Sequence, residues 1–240
     1  MMIISHKNKF IFIRPYKVAG TSLEYAMTPF LGRDDIVCEL GKDEEKKRTM
    51  EFGLGERNNK KTLEDMLRDF TKRDRSRILK FRWPEKFDGH CNAEFISKKL
   101  GSDIWSEYKK ISVVRNPWTY LVSFYYWNPS KEKRLPFPQW CRENKHLINA
   151  NRQHYFVNKK YIIDYLIRFE DFPSDLRTLE QKIPGLMGLS NVFSGANFKT
   201  GYSPKDLSVS KMFEGEDWLK SAILQQANFE IKKLSYSMPK

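Results

Sequence analysis

Along the chain, short apolar runs alternate with longer stretches in which apolar residues recur every three or four positions. FIFI (10–13) is wholly apolar, as a strand covered on both faces must be. The stretch from about Ser22 to Leu31 then reads as a helix that Gly32 stops. KISVV (110–114) is a second buried strand and leads into a helix opening near Pro117. YIIDYLIRF (161–169) is a third, followed by a helix over SDLRTLEQKI (174–183). Three strand-to-helix units in succession predict an α/β fold in which helices flank a parallel central sheet.

Two stretches break this rhythm. Residues 42–82 hold 23 charged residues, 14 basic and 9 acidic, and within them Leu63, Met66, Leu67 and Phe70 form one apolar helix stripe. They read as an excursion carrying a surface helix, either a lid or a solvated charge run with no role of its own. Residues 184–217, with their Gly, Ser, Asn and Pro, read as a long loop of the kind that covers a ligand, and 218–234 as a closing helix. No internal repeat is visible, so residues 1–240 read as one domain.

Charge narrows the choice of partner. The 43 Lys and Arg outnumber the 30 Asp and Glu, leaving a formal net charge of +13. Such a surplus suits a polyanion: nucleic acid, acidic glycan, anionic membrane or a multiply charged nucleotide. A merely basic surface is the plainer alternative. No apolar run nears the roughly 18 residues of a membrane span, and MMIISHKNKF reaches Lys7 too early for a secretory signal. Cys38, Cys91 and Cys141 lack metal-ligand spacing and read as reduced thiols. The chain as given is therefore expected to be soluble and intracellular, with a trimmed, membrane-anchored parent left open.

Candidate chemistry begins at RPYKVAGTSLEYA (14–26), between a strand and a helix. Unpaired amides and the dipole at a helix N-terminus form an anion site. Gly20 would let the backbone approach a ligand, Thr21 and Ser22 add hydroxyls, and Lys17 and Arg14 add positive charge. The order KxxGTS fails the nucleotide-triphosphatase pattern GxxxxGK[ST]. The bland reading is a capping box between Thr21 and Glu24, which accounts for neither Lys17 nor Arg14.

KISVVRNPWTYLVSFYYW (110–127) repeats the architecture. Arg115 stands at the strand's C-terminal tip, Asn116 can cap, Pro117 suits the first helical position, and Ser123 follows about two turns later. Ligands of open α/β sheets bind beyond the strand C-termini, where Arg115 would point. The bland reading leaves Arg115 a surface charge and the aromatics core filling.

On these residues the chain resembles the sulfotransferases. KVAGTSL (17–23) is similar to their 5′-phosphosulfate loop, and VVRNPWTYLVSFYYW (113–127) to their 3′-phosphate motif, an Arg followed eight residues later by Ser. GHCNAEFI (89–96) resembles the Gly-His element of the carbohydrate sulfotransferases related to the heparan and chondroitin enzymes. NRQHYF (151–156) and YLIRFEDFPSDL (165–176) are similar to segments of that group. The likeness covers most of 9–236 and is weak across 40–85. It departs at Glu230–Tyr236, where the family's D-x-x-x-F-G-Y has lost Asp and Gly. It departs again at NVFSGANFKTGYSPKD (191–206), only a loose match to the adenine-covering loop.

The resemblance implies a P-loop-like sulfotransferase fold, metal-independent chemistry and 3′-phosphoadenosine 5′-phosphosulfate as donor. The acceptor is a hydroxyl, by the Gly-His likeness that of a carbohydrate. It assigns Lys17 to the bridging oxygen and Gly20, Thr21 and Ser22 to the 5′-phosphate, with Arg14 a weaker candidate beside them. Arg115 and Ser123 take the 3′-phosphate, and Lys199 is the candidate phosphate contact in the covering loop. His90 becomes the general base, with Glu170 and Asp171 as rivals expected to position rather than react. His6, His146 and His154 lack a comparable motif. A non-catalytic polyanion-binding module on a degenerate nucleotide fold is the alternative from another class. A small-molecule kinase is a third, which KxxGTS disfavours. Nucleic-acid binding is disfavoured because no helix-turn-helix, RNP or zinc-finger pattern appears.

Overall fold

The computed structural model describes residues 2–127, 134–196, 198, 201–204 and 206–239. Among these the strands are β1 (Ile3–Ser5), β2 (Phe10–Ile13), β3 (Ile36–Val37), β4 (Lys109–Val114), β5 (Phe156–Val157), β6 (Lys160–Tyr161) and β7 (Tyr165–Arg168). The first half carries helices α1 (Gly20–Met27), α2 (Lys42–Phe52), α3 (Leu63–Arg68), α4 (Lys72–Ile78), α5 (Ala93–Leu100) and α6 (Ser102–Glu107). The second half carries α7 (Pro117–Trp127), α8 (Phe137–Glu143), α9 (Phe172–Lys182), α10 (Leu189–Ser194), α11 (Val209–Met212), α12 (Asp217–Gln226) and α13 (Asn228–Leu234).

The central sheet has five strands in the order β3-β1-β2-β4-β7 and is mixed. β2, β4 and β7 run parallel, as the strand-to-helix units predict, whereas β1 runs antiparallel to both β2 and β3. The antiparallel edge corrects the expectation of a parallel sheet. Four residues separate β1 from β2, and so short a link can only turn the chain back on itself. FIFI is buried throughout because the sheet is covered twice. Phe10, Phe12, Ile111, Val113 and Ile167 face the cluster that includes Leu23, Leu176 and Leu189 of α1, α9 and α10. Ile11, Ile13 and Val114 face Ala93 and Ile96 of α5 and Tyr155.

Several predicted elements differ from those formed. The first helix begins at Gly20 and gives way after Met27 to a 3-10 turn at Thr28–Phe30, which contains Pro29, so Gly32 is not its stop. YIIDYLIRF divides between β6 and β7, because Asp164 pairs with Lys110 through its backbone N–H and its carboxylate and sets the start of β7 beside β4. The supposed loop 184–217 contains α10, α11 and a 3-10 turn, and the closing helix is two helices, α12 and α13. The apolar stripe of 63–70 does not pack inward: Leu63 is 70% exposed and Leu67 90%.

One register positions the two candidate turns. Ile13 lies opposite Ser112 in the parallel β2–β4 pair, and Ser112 Oγ donates to the Ile13 carbonyl at 2.8 Å. The two strands therefore deliver the 14–20 and 115–117 turns to the same edge of the sheet.

Candidate functional site

The turn after β2 is built on two left-handed residues that are not glycine, Lys17 (φ 58°) and Ala19 (φ 54°). Such backbone costs about 1–3 kcal/mol per residue and persists only where its surroundings enforce it. Asn151 supplies part of that enforcement, accepting from Tyr16 N–H at 2.8 Å and donating to the Tyr16 carbonyl at 3.1 Å. The conformation leaves the amides of Val18, Ala19, Gly20, Thr21 and Ser22 without acceptors among the described residues. Five such N–H groups at the start of α1 form a nest for an anion.

The predicted capping box is absent. Ala19 occupies the N-cap, and Thr21 and Glu24 serve Arg14 instead. Arg14 Nη1 donates to Glu24 Oε2 at 2.7 Å and Nη2 to Thr21 Oγ1 at 2.9 Å, all three side chains being buried. Gly20 makes room for this pair: a Cβ there would come within 2.5 Å of Arg14 Nε. Ser22 also turns inward, where its Oγ accepts from Phe198 N–H at 3.2 Å. Lys17 lies over the Trp127 ring at 3.8 Å and near Tyr202 at 5.8 Å.

At the second turn, Arg115 Nη1 donates to the Lys17 carbonyl at 3.0 Å and Nε to Thr119 Oγ1 at 3.2 Å, tying the two turns together. Its guanidinium stacks over Phe169 at 4.1 Å, and burial draws its pKa down to about 10, still charged at neutral pH. Nη2 has no acceptor among the described residues. Asn116 caps α7 as predicted, accepting from Trp118 N–H at 3.0 Å. Glu170 accepts from Asn116 N–H and from Tyr236 Oη, both at 2.8 Å, so it braces the turn. Asp171 pairs with Arg168 at 3.0 Å, and Arg168 forks onto Asp175.

His90 precedes α5, which Asn92 caps by accepting from Phe95 N–H at 2.8 Å. Its ring stacks on Tyr16 at 4.4 Å, and Nδ1 lies 3.4 Å from the Arg14 carbonyl. As an N–H donor there, Nδ1 leaves the lone pair on Nε2. Burial is the largest cause pulling the imidazole pKa well below its ordinary value, and the positive charge of Arg14 adds to it, so the ring is neutral at pH 7. Fully buried His154 packs edge-on against Tyr16 at 5.4 Å.

These groups meet. Lys17, Gly20, Thr21, His90, Arg115 and Ser123, together with Arg14, line one cavity of about 580 Å³. That volume suits a nucleotide-sized ligand. Ser22 does not line it, and Lys199 lies outside the described residues. No carboxylate lines it among the described residues. Its apolar walls are Tyr16, Phe124, Trp127, Phe169, Phe198 and Tyr202. Of the α7 aromatics, Trp118, Tyr120 and Tyr125 are core as predicted, but Phe124 and Trp127 are wall. The pairing of Asn151 with Tyr16 carries no local sequence signal, since it joins residues 135 positions apart.

No family model, curated protein or solved structure matches the chain.

Proposed function

We propose that the protein is a sulfotransferase on a P-loop-like fold, moving the sulfuryl group of 3′-phosphoadenosine 5′-phosphosulfate to a carbohydrate hydroxyl. The observation that carries the proposal is that the two strand-to-helix turns, one with Lys17 and the other with Arg115, open on a single cavity. The unpaired amides of 18–22 and Lys17 suit a 5′-phosphate with its sulfate, and Arg115 Nη2 and Ser123 suit a 3′-phosphate. Arg14 then acts through Glu24 and Thr21, shaping the turn from beneath.

The donor supplies a sulfuryl group whose bond to the 5′-phosphate oxygen breaks, its electron pair leaving on phosphate, as the acceptor oxygen bonds to sulfur. Lys17 stabilises the charge arriving on that phosphate. His90 takes the acceptor proton at Nε2. An anion bound beside His90 favours the imidazolium and raises the low pKa, so the base strengthens when the site fills. Two hollows of about 810 and 480 Å³ share Asn149 and Arg152, and the second includes Asn92, two residues from His90. Their amides, cations and Phe229 support a carbohydrate acceptor.

Melting with 3′-phosphoadenosine 5′-phosphate, heparin and tripolyphosphate tests the reading, with transfer of radiolabelled sulfate to a glycan panel as its second arm. A rise in melting temperature specific to the adenosine bisphosphate, with labelled glycan, is expected. An equal response to all three anions, with no labelled product, would replace the enzyme with the polyanion-binding module.

A further inference from the structure

The charged excursion presents an apolar surface that the proposed chemistry does not use. Leu63 and Leu67 stand one turn apart on α3 and are 70% and 90% exposed; Leu79 and Phe81, after α4, are 71% and 101% exposed. This exposure belongs to an ordered lobe. Buried Lys61 donates to Asp74 Oδ2 at 2.8 Å and to the Asp69 carbonyl at 2.6 Å, joining the two helices, and Trp83 Nε1 donates to the Lys61 carbonyl at 2.7 Å. Capping boxes at Thr62–Asp65 and Thr71–Asp74 close both helix starts. Phe81 is turned outward by a left-handed backbone (φ 55°).

Charge is sorted across the same lobe. Asp65, Asp69 and Asp74 are spent on caps and on Arg68, Lys61 and Lys99, which leaves exposed Glu64 as the one carboxylate of 63–82 without a cation partner among the described residues. Lys72, Arg75, Lys80 and Arg82 are exposed and have no carboxylate partner among the described residues. Large exposed apolar chains set among unpaired cations match an anionic lipid surface, where the cations meet headgroups and the apolar chains enter the acyl boundary. Single-stranded nucleic acid would use cations and aromatic faces but has no use for exposed Leu63, Leu67 and Leu79. A second copy of the chain would oppose like charges.

We propose that the outward face of residues 63–82 docks the protein on an anionic bilayer. This inference stands apart from the reading of the cavity.

Cosedimentation with phosphatidylcholine vesicles, with and without phosphatidylserine, tests it, beside a single-stranded oligonucleotide and an acidic protein. The native chain should pellet with the anionic vesicles only. Leu67→Asp with Phe81→Asp, and separately Arg75→Glu with Arg82→Glu, should each weaken that binding about tenfold or more. Arg75→Lys with Arg82→Lys should keep it. All variants should retain the native circular dichroism and the melting shift with adenosine bisphosphate, so failure of the docking surface and failure of the cavity reading are told apart. Equal binding to neutral vesicles, or vesicle binding unchanged in the Asp variant, would overturn the proposal. So would loss in the Asp variant of oligonucleotide or acidic-protein binding alone.

Discussion

His90 illustrates how position makes a residue. Burial against Tyr16 and the nearness of Arg14 disfavour its imidazolium, so in the free protein it titrates well below the ordinary histidine value near 6.5. In the proposed mechanism kcat/KM should rise with pH through that low pKa and kcat through the higher value of the filled site, because the base must be unprotonated. Adding adenosine bisphosphate should move the His90 NMR titration upward, since the anion favours the charged ring. His90→Gln should bind the bisphosphate as the native chain does and lose turnover about 100-fold or more; retained turnover would remove it as base. Lys17 and Arg115 were legible as cavity-lining candidates because each sits in a turn between strand and helix, whereas His90 was reached through the resemblance of GHCNAEFI and its place before α5. The inward roles of Arg14, Thr21 and Glu24 were not legible. A Thr and a Glu three apart spell a capping box, and only the fold shows that a buried guanidinium has claimed both.

At the scale of elements, α1 depends on that pair. Arg14 and Glu24 form a buried ion pair at 2.7 Å, and removing one partner strands the other's charge in the core. Glu24→Ala should cost about 3–5 kcal/mol in urea unfolding, far more than the ~1 kcal/mol of a surface pair. A loss near the smaller figure would show that Arg14 finds another partner or water. The pair also explains why Gly20 is needed, since any side chain there would collide with Arg14. β2 and β4 were legible because wholly apolar runs admit few readings. β1 and the break between β6 and β7 were not, because their bounds are set by partners elsewhere in the chain, Phe10–Phe12 for the first and Lys110 for the second. The helices within 184–217 were obscured by Gly and Pro, which here mark turns between short helices rather than one long loop.

Across the whole molecule, the parallel β2-β4-β7 half of the sheet presents the two turns that line the cavity, while the antiparallel β1 and β3 close the other edge. The +13 surplus is not spread evenly in its consequences. Lys17 and Arg115 serve the cavity, Arg152 and Lys233 line a neighbouring hollow, and the cations of 72–82 stand on a separate lobe. Composition alone predicted a polyanionic partner but could not divide these surfaces. Isothermal titration with adenosine 3′,5′-bisphosphate and adenosine 5′-monophosphate tests the central claim most directly. Arg115→Ala should weaken the bisphosphate about tenfold or more and the monophosphate, through the lost tie to the Lys17 carbonyl, far less, and Lys17→Ala should weaken both. If Arg115→Ala weakens both ligands alike, or neither, the two turns do not hold opposite ends of one bisphosphorylated nucleotide.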